Sequence, residues 1–489
     1  MEWDTATGSV FADIRETHTG VVVLVGDKAY KAKKSIATDF LDFSTHDRRE
    51  RACAREVELN ARLAATSYLG IAHLSGPGGG PAEPVIVMRR YPESSRLATR
   101  VQRGEPVDAD IAAVAMVLSR FHAETGRGRA VEAEAKVGAI TARWHANLAE
   151  LERFAGTALS GESLAYLQSL ADQYITGRAA LFVQRITDRR IVDGHADLRA
   201  DDIFCLADGP VLLDCLDFDD RLRFVDGIDD AAFLAMDLEF LGRKDLGDSF
   251  LDHYTRLSGD QAPRSLKDFY IAYRALVRAK VDCICFEQGR PAAVADAKRH
   301  LELAIRHLRA ATVRLVLVGG GPGTGKTTLA HSLAEQIGAQ VISTDDVRRE
   351  LQRAGTITGE AGVLDAGLYT AENVAAVYDT VLRLAHIQLA NGRSVILDGT
   401  WRDPRQRERA HDLAGETHSA TLEIACTAPI EAATARIANR PTGTSDATPD
   451  IAESLADRVD GWSDAHRINT SRPLADSVAE ARELFCLAI

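Results

Sequence analysis

A glycine-rich segment at residues 320–328 carries the strongest chemical signal in the sequence. It reads Gly-Gly-Pro-Gly-Thr-Gly-Lys-Thr-Thr, matches the pattern G-x-x-x-x-G-K-[ST], and directly follows the apolar run from Leu315 to Val318. Successive backbone N–H groups in such a turn, at the positive end of a helix, form a cradle for phosphate. Only glycine lets the backbone fold this tightly around an anion. The segment therefore predicts a nucleotide site.

Individual residues of this loop have expected roles toward the nucleotide. Lys326 is expected to reach the β- and γ-phosphates, and Thr327 is expected to hold Mg²⁺ through its hydroxyl. The expected cofactors are therefore ATP and Mg²⁺. The residues that we predict to bind the nucleotide here are Gly320, Gly321, Gly323, Thr324, Gly325, Lys326, Thr327 and Thr328.

A second group of acidic residues lies in the N-terminal part of the chain. Residues 195–203 read His-Ala-Asp-Leu-Arg-Ala-Asp-Asp-Ile, and a strand-like run at 211–213 leads into Asp214 and Asp217. Phosphoryl transfer needs this layout, because one carboxylate accepts the proton of the attacking hydroxyl while others bind the Mg²⁺ that bridges the phosphates. The N-terminal part thus predicts a second site of phosphate chemistry.

This second motif resembles the catalytic loop H-G-D-L-H-x-x-N-I of the aminoglycoside phosphotransferase family, which has the protein-kinase-like fold. The resemblance implies that Asp197 is the catalytic base and that Asp202 stands where the family has its metal-binding Asn. Ala196 and Arg199 also depart from the pattern. The metal-binding Asp after the strand is Asp217 if Asp-Phe-Asp replaces the kinase Asp-Phe-Gly, and Asp214 if loop length decides; we favour Asp217.

The parts of a kinase small lobe precede this loop in the expected order. Residues 28–31 resemble the strand V-A-x-K that carries the ATP-binding lysine, so Lys31 is our choice, and Lys33 is the alternative on the same strand face. The resemblance implies that Glu56, on the following helix, pairs with that lysine. It also implies that Met88, within Val-Met-Arg, contacts adenine as part of the hinge.

Further polar residues follow the glycine-rich loop. Residues 342–349 read Ile-Ser-Thr-Asp-Asp-Val-Arg-Arg and resemble the P-loop small-molecule kinases, polynucleotide kinases and zeta toxins. The resemblance implies that Asp345 activates the acceptor hydroxyl and that Arg348 neutralises phosphate charge, although an Asp here also suits a helix cap. Asp398 ends a strand of Walker-B type and is expected to orient Mg²⁺ or substrate. Arg440, in a lid-like segment, is expected to clamp the transferring phosphate.

Composition limits the classes of protein that fit. The 489 residues carry a net charge of −13, which disfavours a non-specific nucleic-acid binder. Seven scattered cysteines show neither a zinc pattern nor a disulfide framework, so a cytoplasmic location fits best. No apolar run is long enough to span a membrane. The expected partner is a small-molecule hydroxyl acceptor, and the oligomeric state is not indicated.

The order of predicted elements indicates two domains. Residues 1–310 begin with short strands and continue as helices, which predicts an α+β kinase-like domain with a small β lobe and a helical lobe. Residues 312–489 alternate strands and helices, which predicts an α/β P-loop NTPase domain with a parallel sheet. This arrangement resembles the bacterial proteins described as bifunctional aminoglycoside phosphotransferase/ATP-binding proteins.

We expect an ATP-dependent phosphotransferase with two nucleotide sites, each acting on a hydroxyl group of a small molecule. Two alternatives stay open at this point. In one, the P-loop half is an ATPase switch that regulates a degenerate kinase-like binding module, which the acidic Asp202 favours. In the other, the chain confers resistance to an aminoglycoside antibiotic, which the negative charge permits.

Overall fold

The computed structural model describes residues 12–489 except 17–18, 38–41, 76–80, 361–365 and 440–461. The chain forms two compact units. The first consists of Met1–Leu164, Arg185–Ala262 and Tyr270–Ile305. The second consists of Ala165–Gln184, Pro263–Phe269 and Arg306–Ile489. Two short segments from the first 310 residues therefore belong to the unit that contains the glycine-rich loop.

An antiparallel sheet of five strands opens the first unit, in the order β1-β2-β3-β5-β4. Its strands are β1 (Asp13–Glu16), β2 (Gly20–Val25), β3 (Lys28–Lys33), β4 (Tyr68–Leu74) and β5 (Glu83–Arg89). Strands β2 and β3 form a hairpin, and Gly26 makes the turn with a positive φ of 59°. Helix α1 (His46–Ala64) follows β3, and the Thr45 side chain caps its N-terminus.

Helices dominate the chain after this sheet, as the sequence predicted. They are α2 (Leu97–Gln102), α3 (Asp108–Glu124), α4 (Arg129–Ala133), α5 (Val137–Glu152), α6 (Gly161–Gly177), α7 (Ala179–Thr187), α8 (Asp220–Arg223), α9 (Gly227–Phe240), α10 (Lys244–Ser258), α11 (Arg264–Glu287) and α12 (Ala293–Ala311). The chain leaves the helical conformation at 134–136, which separates α4 from α5.

Two small antiparallel strand pairs lie in the region of the second motif. Strand β6 (Ile191–Asp193) pairs with β9 (Phe224–Asp226), and β7 (Ile203–Leu206) pairs with β8 (Gly209–Leu212). The candidate catalytic loop runs from β6 to β7, and Asp214 follows β8. These short strands therefore fix both ends of the loop that carries the acidic residues.

A parallel sheet of five strands forms the centre of the second unit, in the order β11-β12-β10-β13-β14. Its strands are β10 (Arg314–Gly319), β11 (Gln340–Ser343), β12 (Val395–Asp398), β13 (Ala420–Thr427) and β14 (His466–Asn469). Its helices are α13 (Lys326–Ile337), α14 (Thr344–Arg353), α15 (Ala371–Ala390), α16 (Pro404–Glu416), α17 (Ile430–Ala438) and α18 (Leu474–Leu487). The predicted α/β architecture with a parallel sheet is confirmed.

The central strand of this sheet is buried over its whole length. Side chains of β10 alternate between two apolar clusters, with Leu315 and Leu317 in one and Val316 and Val318 in the other. Apolar residues cover both faces of the sheet, which explains why β10 reads as a continuous apolar run. Parallel strands align their carboxyl ends along one edge, so the loops after β10, β11 and β12 meet there.

Arg178 joins the segment Ala165–Gln184 to the rest of the second unit. Its guanidinium group is buried and donates to the carbonyl oxygens of Leu389, Thr417 (2.6 Å) and His418 (3.2 Å). These carbonyls lie at the C-terminal ends of α15 and α16, where backbone acceptors lack helical partners. Burial lowers the pKa of Arg178 to about 10, so the group stays charged at neutral pH.

We expect Arg178→Met to destabilise the second unit, because it removes a buried donor from the carbonyl oxygens of Leu389, Thr417 and His418. The expected loss in unfolding free energy is about 2–4 kcal/mol. Urea denaturation followed by far-UV circular dichroism measures it. The control is Arg405→Met, since Arg405 is largely exposed and, within the described part of the chain, pairs with the neighbouring Asp403. Equal stability of both variants would contradict the prediction.

Candidate active sites

The glycine-rich loop connects β10 to α13 and has the backbone shape that the sequence predicted. Gly320, Gly323 and Gly325 have positive φ values of 133°, 74° and 82°. A Cβ atom on Gly320 would lie 2.4 Å from the carbonyl oxygen of Cys426, and one on Gly323 would lie 2.4 Å from that of Ala433. Neither backbone atom can move away easily, so both positions require glycine.

Side chains of the loop contact its own backbone. Thr324 donates through Oγ1 to the carbonyl oxygen of Gly321 at 2.8 Å, and Lys326 donates through Nζ to the same oxygen at 3.0 Å. Helix α13 begins at Lys326, which places Thr327 and Thr328 in its first turn. The residues predicted to cradle phosphate are therefore brought together in one turn at a helix N-terminus.

Thr327 and Asp398 form the part of this site that suits a metal ion. The Thr327 hydroxyl donates to Asp398 Oδ2 at 2.7 Å. Asp398 Oδ1 is buried and has no hydrogen-bond partner among the described residues. Burial raises the pKa of Asp398 against the opposing attraction of Lys326. A carboxylate with an open oxygen beside a hydroxyl fits the oxygen ligands that Mg²⁺ prefers.

Asp345 and Arg348 lie together at the start of α14, which follows β11. Arg348 Nη1 donates to Asp345 Oδ1 at 2.6 Å, and the guanidinium group lies 4.4 Å from the ring centroid of Tyr369. The Arg348 Nε atom is buried and has no hydrogen-bond partner among the described residues. Ser343, not Asp345, caps the helix by accepting from the backbone N–H of Asp345. The capping role considered for Asp345 is therefore wrong.

Two residues that sequence reasoning did not single out as a pair support the loop from the other side. Thr470 donates through Oγ1 to the carbonyl oxygen of Thr324 at 2.6 Å. Arg436 donates to the carbonyl oxygens of Thr470 (2.7 Å) and Gly323 (3.3 Å). Thr470 follows β14, a strand that the sequence analysis did not predict. Arg440 lies outside the described residues.

Lys31 stands between two acidic side chains in the first unit. Its Nζ atom lies 2.8 Å from Glu56 Oε1 and 2.6 Å from Asp214 Oδ1. Burial opposes the charge on Asp214, but Lys31 and Arg199 outweigh it and lower the pKa of Asp214 to about 2. The structure thus joins the lysine of β3, the glutamate of α1 and the aspartate after β8.

Lys33 makes a second and parallel set of contacts. Its Nζ atom lies 2.7 Å from Glu56 Oε2 and 2.6 Å from Asp217 Oδ2. Each of the two candidate lysines therefore has its own aspartate, and Glu56 is shared between them. Burial raises the pKa of Asp217 and exceeds the opposing effect of Lys33.

The candidate catalytic loop places Arg199 between two acidic residues. Arg199 Nη2 donates to Asp202 Oδ2 at 2.7 Å, and Arg199 Nε lies 3.6 Å from Asp197 Oδ1. Burial outweighs the attraction of Arg199 and raises the pKa of Asp202 to about 7, with help from Asp214 and Asp197. A divalent cation bound between these carboxylates would reduce their mutual repulsion.

The carboxylates predicted to bind Mg²⁺ in the first unit are not arranged as a preformed metal site. Within the described ranges, no three His, Cys, Asp or Glu side chains are already arranged around a common point. Asp202, Asp214 and Asp217 are each paired with a cationic side chain. Some of the carboxylates expected to hold Mg²⁺ in this unit therefore lie close to one another, but each of them pairs with a lysine or arginine side chain.

Asp230 of α9 supports the catalytic loop and was not found from the sequence. Its carboxylate accepts from the backbone N–H groups of His195 (2.7 Å) and Ala196 (2.6 Å) and faces His122 Nε2 at 2.9 Å. Arg274 donates to the carbonyl oxygen of Ala196 at 3.1 Å. These contacts hold Ala196 at a φ of 68°, in the left-handed region that favours glycine.

Met88 lies in β5 opposite Ala29 of β3. Both side chains are buried in one apolar cluster of the antiparallel sheet. The structure therefore places Met88 on the sheet next to the strand that carries Lys31. Its contact with adenine stays a prediction.

Comparison with known proteins now identifies the C-terminal part and the family. A family model described as "AAA domain" matches residues 315–459. The uncharacterized protein Rv2004c of Mycobacterium tuberculosis is 58% identical over 483 residues, which cover 99% of this chain and 97% of that protein. The chain belongs to the family of this mycobacterial protein. Its C-terminal part is a P-loop nucleotide-binding domain, and the predicted fusion of such a domain to an N-terminal part of different architecture is confirmed.

Other similarities cover smaller parts of the chain. The adenylate kinase of Jannaschia sp. is 35% identical over 130 residues, which are 26% of this chain and 64% of that protein. The structure of the GDP and kanamycin complex of APH(2")-IIia is 14% identical, covers 60% of this chain and 92% of that chain, and has a TM-score of 0.40. Across the part of the chain that the structure describes, no helix has the length and apolar character needed to cross a membrane.

We expect Asp398→Asn to stabilise the protein without nucleotide and to weaken its response to Mg²⁺ and ATP. The raised pKa of Asp398 means that folding disfavours the charged carboxylate. The penalty is absent below the unfolded-state pKa of about 4 and grows as pH rises through the folded-state value. The stability gain of the variant should therefore be small near pH 4 and larger at pH 8.

Thermal unfolding at both pH values, with and without Mg²⁺–ATP, measures these effects. The matched control is Asp412→Asn, at an exposed position of α16. Loss of the Mg²⁺-dependent increase in Tm is expected only for Asp398→Asn. An undiminished increase in that variant would argue against Asp398 as a metal ligand.

We expect Ala196→Gly to increase the unfolding free energy by up to about 1 kcal/mol, because glycine adopts a positive φ without the strain that alanine has there. Ala112→Gly, within helix α3, should decrease it by about 0.5–1 kcal/mol, since glycine disfavours helix interiors. The opposite signs separate backbone strain from a general effect of glycine. Chemical denaturation measures both, and destabilisation by Ala196→Gly would refute the strain argument.

Proposed function

We propose that the protein is an ATP-dependent phosphotransferase with two nucleotide sites, which transfers the γ-phosphate to hydroxyl groups of small molecules. The observation that carries the proposal is the formed P-loop, in which Thr327 lies 2.7 Å from Asp398 and leaves a buried oxygen of that carboxylate open. The similarity to an adenylate kinase over 130 residues supports a kinase over a simple ATPase.

In the P-loop half, Asp345 is suited to accept the proton of the acceptor hydroxyl. As that proton moves to the Asp345 carboxylate, the hydroxyl oxygen forms a bond to the γ-phosphorus and the bond to the ADP oxygen breaks. Lys326 and Arg348 would counter the negative charge of the transferring group. Thr327 and Asp398 would hold Mg²⁺, which supplies further charge neutralisation when bound.

In the N-terminal half, Asp197 is the proposed base and Lys31 the proposed ligand of the phosphates. The contacts support Asp214 over Asp217 as the metal ligand. Asp214 pairs with Lys31, the proposed phosphate ligand, and its charge raises the pKa of Asp202. Asp217 instead pairs with Lys33. Asp202 would be the second ligand. Arg199 would offset the extra negative charge that Asp202 has where the related family has a neutral Asn.

A second candidate function is favoured by this same charge pairing. Arg199 already neutralises Asp202, which would also suit a kinase-like module that binds a ligand without catalysis. The P-loop half would then be an ATPase switch. The Asp345–Arg348 pair argues for the first proposal, since a switch needs no base for an acceptor.

The free state of the cysteines supports a further point about location. All seven cysteine side chains are described, and none forms a disulfide bond. We propose that the protein acts in the cytoplasm, where ATP and reduced thiols are available. The proposed partner is a small-molecule hydroxyl acceptor and not nucleic acid, since the net charge is −13.

The test is ATP-to-ADP turnover with Mg²⁺, measured with and without pooled sugars, amino sugars, nucleosides and aminoglycosides. Asp197→Ala is expected to lower turnover in the N-terminal half by about 10²–10⁴-fold. Lys326→Ala is expected to lower turnover in the P-loop half by about 10²–10³-fold. Asp208→Ala, in the exposed turn between β7 and β8, and Lys298→Ala, exposed on α12, are the matched controls.

The pattern of losses separates the candidate functions. A compound that stimulates turnover, with the stimulation lost in only one variant, identifies the active half and its acceptor class. Stimulation by aminoglycosides alone would identify the antibiotic-resistance alternative. Slow turnover that no compound stimulates and that only Lys326→Ala removes would replace the two-site proposal with the ATPase switch.

A further inference from the structure

Lys33 is a second buried lysine that the proposed chemistry does not use. It lies two residues after Lys31 on β3, so both side chains leave the same face of the sheet. Lys33 is only 8% exposed. Its Nζ atom contacts Glu56 and Asp217, and it lies 4.9 Å from the centroid of the Phe43 ring.

Lys33 balances the negative charge of the carboxylates that surround it. Three carboxylates, on Glu56, Asp214 and Asp217, face the ammonium groups of Lys31 and Lys33. The five groups together carry one net negative charge. If Lys33 were absent, no cation would contact Asp217 or Oε2 of Glu56. Both groups would be largely buried beside other carboxylates. Such groups are strongly disfavoured, so the surrounding chain would rearrange.

The turn after β8 connects Lys33 to the proposed metal ligand. Asp214 has a φ of 63°, in the left-handed region, and lies three residues before Asp217. Contacts on both sides hold this turn: Cys215 N donates to Asn60 Oδ1 of α1 at 2.9 Å, and Asp217 pairs with Lys33 of β3. These contacts hold the turn that carries Asp214 in this conformation.

We propose that Lys33 is a positioning residue that orients both Glu56 and the turn carrying Asp214. Through Glu56 it keeps helix α1 in contact with Lys31, and through Asp217 it fixes the turn from which Asp214 faces the phosphate site. This inference rests on the proposed function of the N-terminal half. It assigns different roles to the two lysines: Lys31 contacts the nucleotide, and Lys33 acts on the site only through the carboxylates that it holds.

The first experiment measures N-terminal turnover in a Lys326→Ala background, so that the P-loop half does not contribute. Lys33→Met and Asp217→Asn should each lower kcat by about 10–100-fold, as loss of a supporting contact to a metal ligand does. The double variant should be no worse than the more damaged single variant, because both remove the same pair. Lys33→Arg should recover part of the loss, since it restores a cation.

The matched control is Lys34→Met, at the next position in the chain. Lys34 Nζ lies 2.6 Å from Oε1 of Glu16, whose side chain is largely exposed on β1. Its removal should leave kcat and KM unchanged. Lys31→Met, in contrast, should raise the Kd for nucleotide directly, because it removes a proposed phosphate ligand.

The second experiment does not depend on turnover. Binding of Mn²⁺ in the presence of ADP, followed by electron paramagnetic resonance, should weaken by about 10–100-fold in Lys33→Met. Hydrogen–deuterium exchange of peptides covering residues 213–218 should be faster in Lys33→Met than in Lys34→Met. Far-UV circular dichroism checks that both variants are folded, and Lys33→Arg replaces Lys33→Met if the latter is not.

The outcomes distinguish this inference from the proposed function. If Lys33→Met matches Lys34→Met in both Mn²⁺ binding and hydrogen exchange, the positioning role is refuted. Additive losses in kcat for Lys33→Met and Asp217→Asn would also refute it. If no variant shows turnover but hydrogen exchange still increases in Lys33→Met, the catalytic proposal for this half fails while the positioning role of Lys33 stands.

Discussion

The pairing of buried charges is the constraint on which both candidate sites depend. Phosphate chemistry needs carboxylates that reach the nucleotide, yet a buried carboxylate without a partner is strongly disfavoured. The first unit meets this constraint with Lys31 and Lys33, which hold Glu56, and Lys33 also holds Asp217. The second unit meets it differently. Asp398 accepts a hydrogen bond from the neutral hydroxyl of Thr327, and its other carboxylate oxygen has no hydrogen-bond partner among the described residues. The two units thus prepare the metal-binding side of their sites by different means.

Among the described residues, three of the five non-glycine residues with positive φ lie at or near residues with proposed chemical roles. Ala196 precedes the proposed base Asp197, Asp214 is itself a proposed ligand, and Trp401 follows Asp398 by three residues; all three have positive φ values. Non-glycine residues adopt this region at a cost and stay there only when their surroundings hold them. For Ala196 the surroundings are Asp230 and Arg274, which bind its backbone from both sides. Side chains remote in sequence therefore set the direction in which the active groups point.

Supporting contacts come from elements that carry no recognisable motif. Asp230 and Arg274 lie on α9 and α11, Thr470 follows β14, and Arg178 lies between α6 and α7. Each binds backbone atoms, although Asp230 and Arg274 also contact the side chains of His122 and Asp229. A contact to a backbone atom can be made by many residue types from many places in the chain, so it leaves little pattern in the sequence. These residues are accordingly the ones that sequence reasoning missed.

The sequence by itself determined the two architectures, the P-loop and the catalytic-loop motif, because local spacing sets the helix and strand periods and only glycine suits the positive φ values of Gly323 and Gly325. It left Lys31 and Lys33, and likewise Asp214 and Asp217, as alternatives. The tertiary structure decided their partners, since β3 and the turn after β8 are about 180 residues apart in the chain and only packing sets which lysine meets which aspartate. It also decided that Ser343 caps α14 and leaves Asp345 to pair with Arg348. Short-range patterns follow from chain geometry, whereas the partners of a side chain follow from the fold.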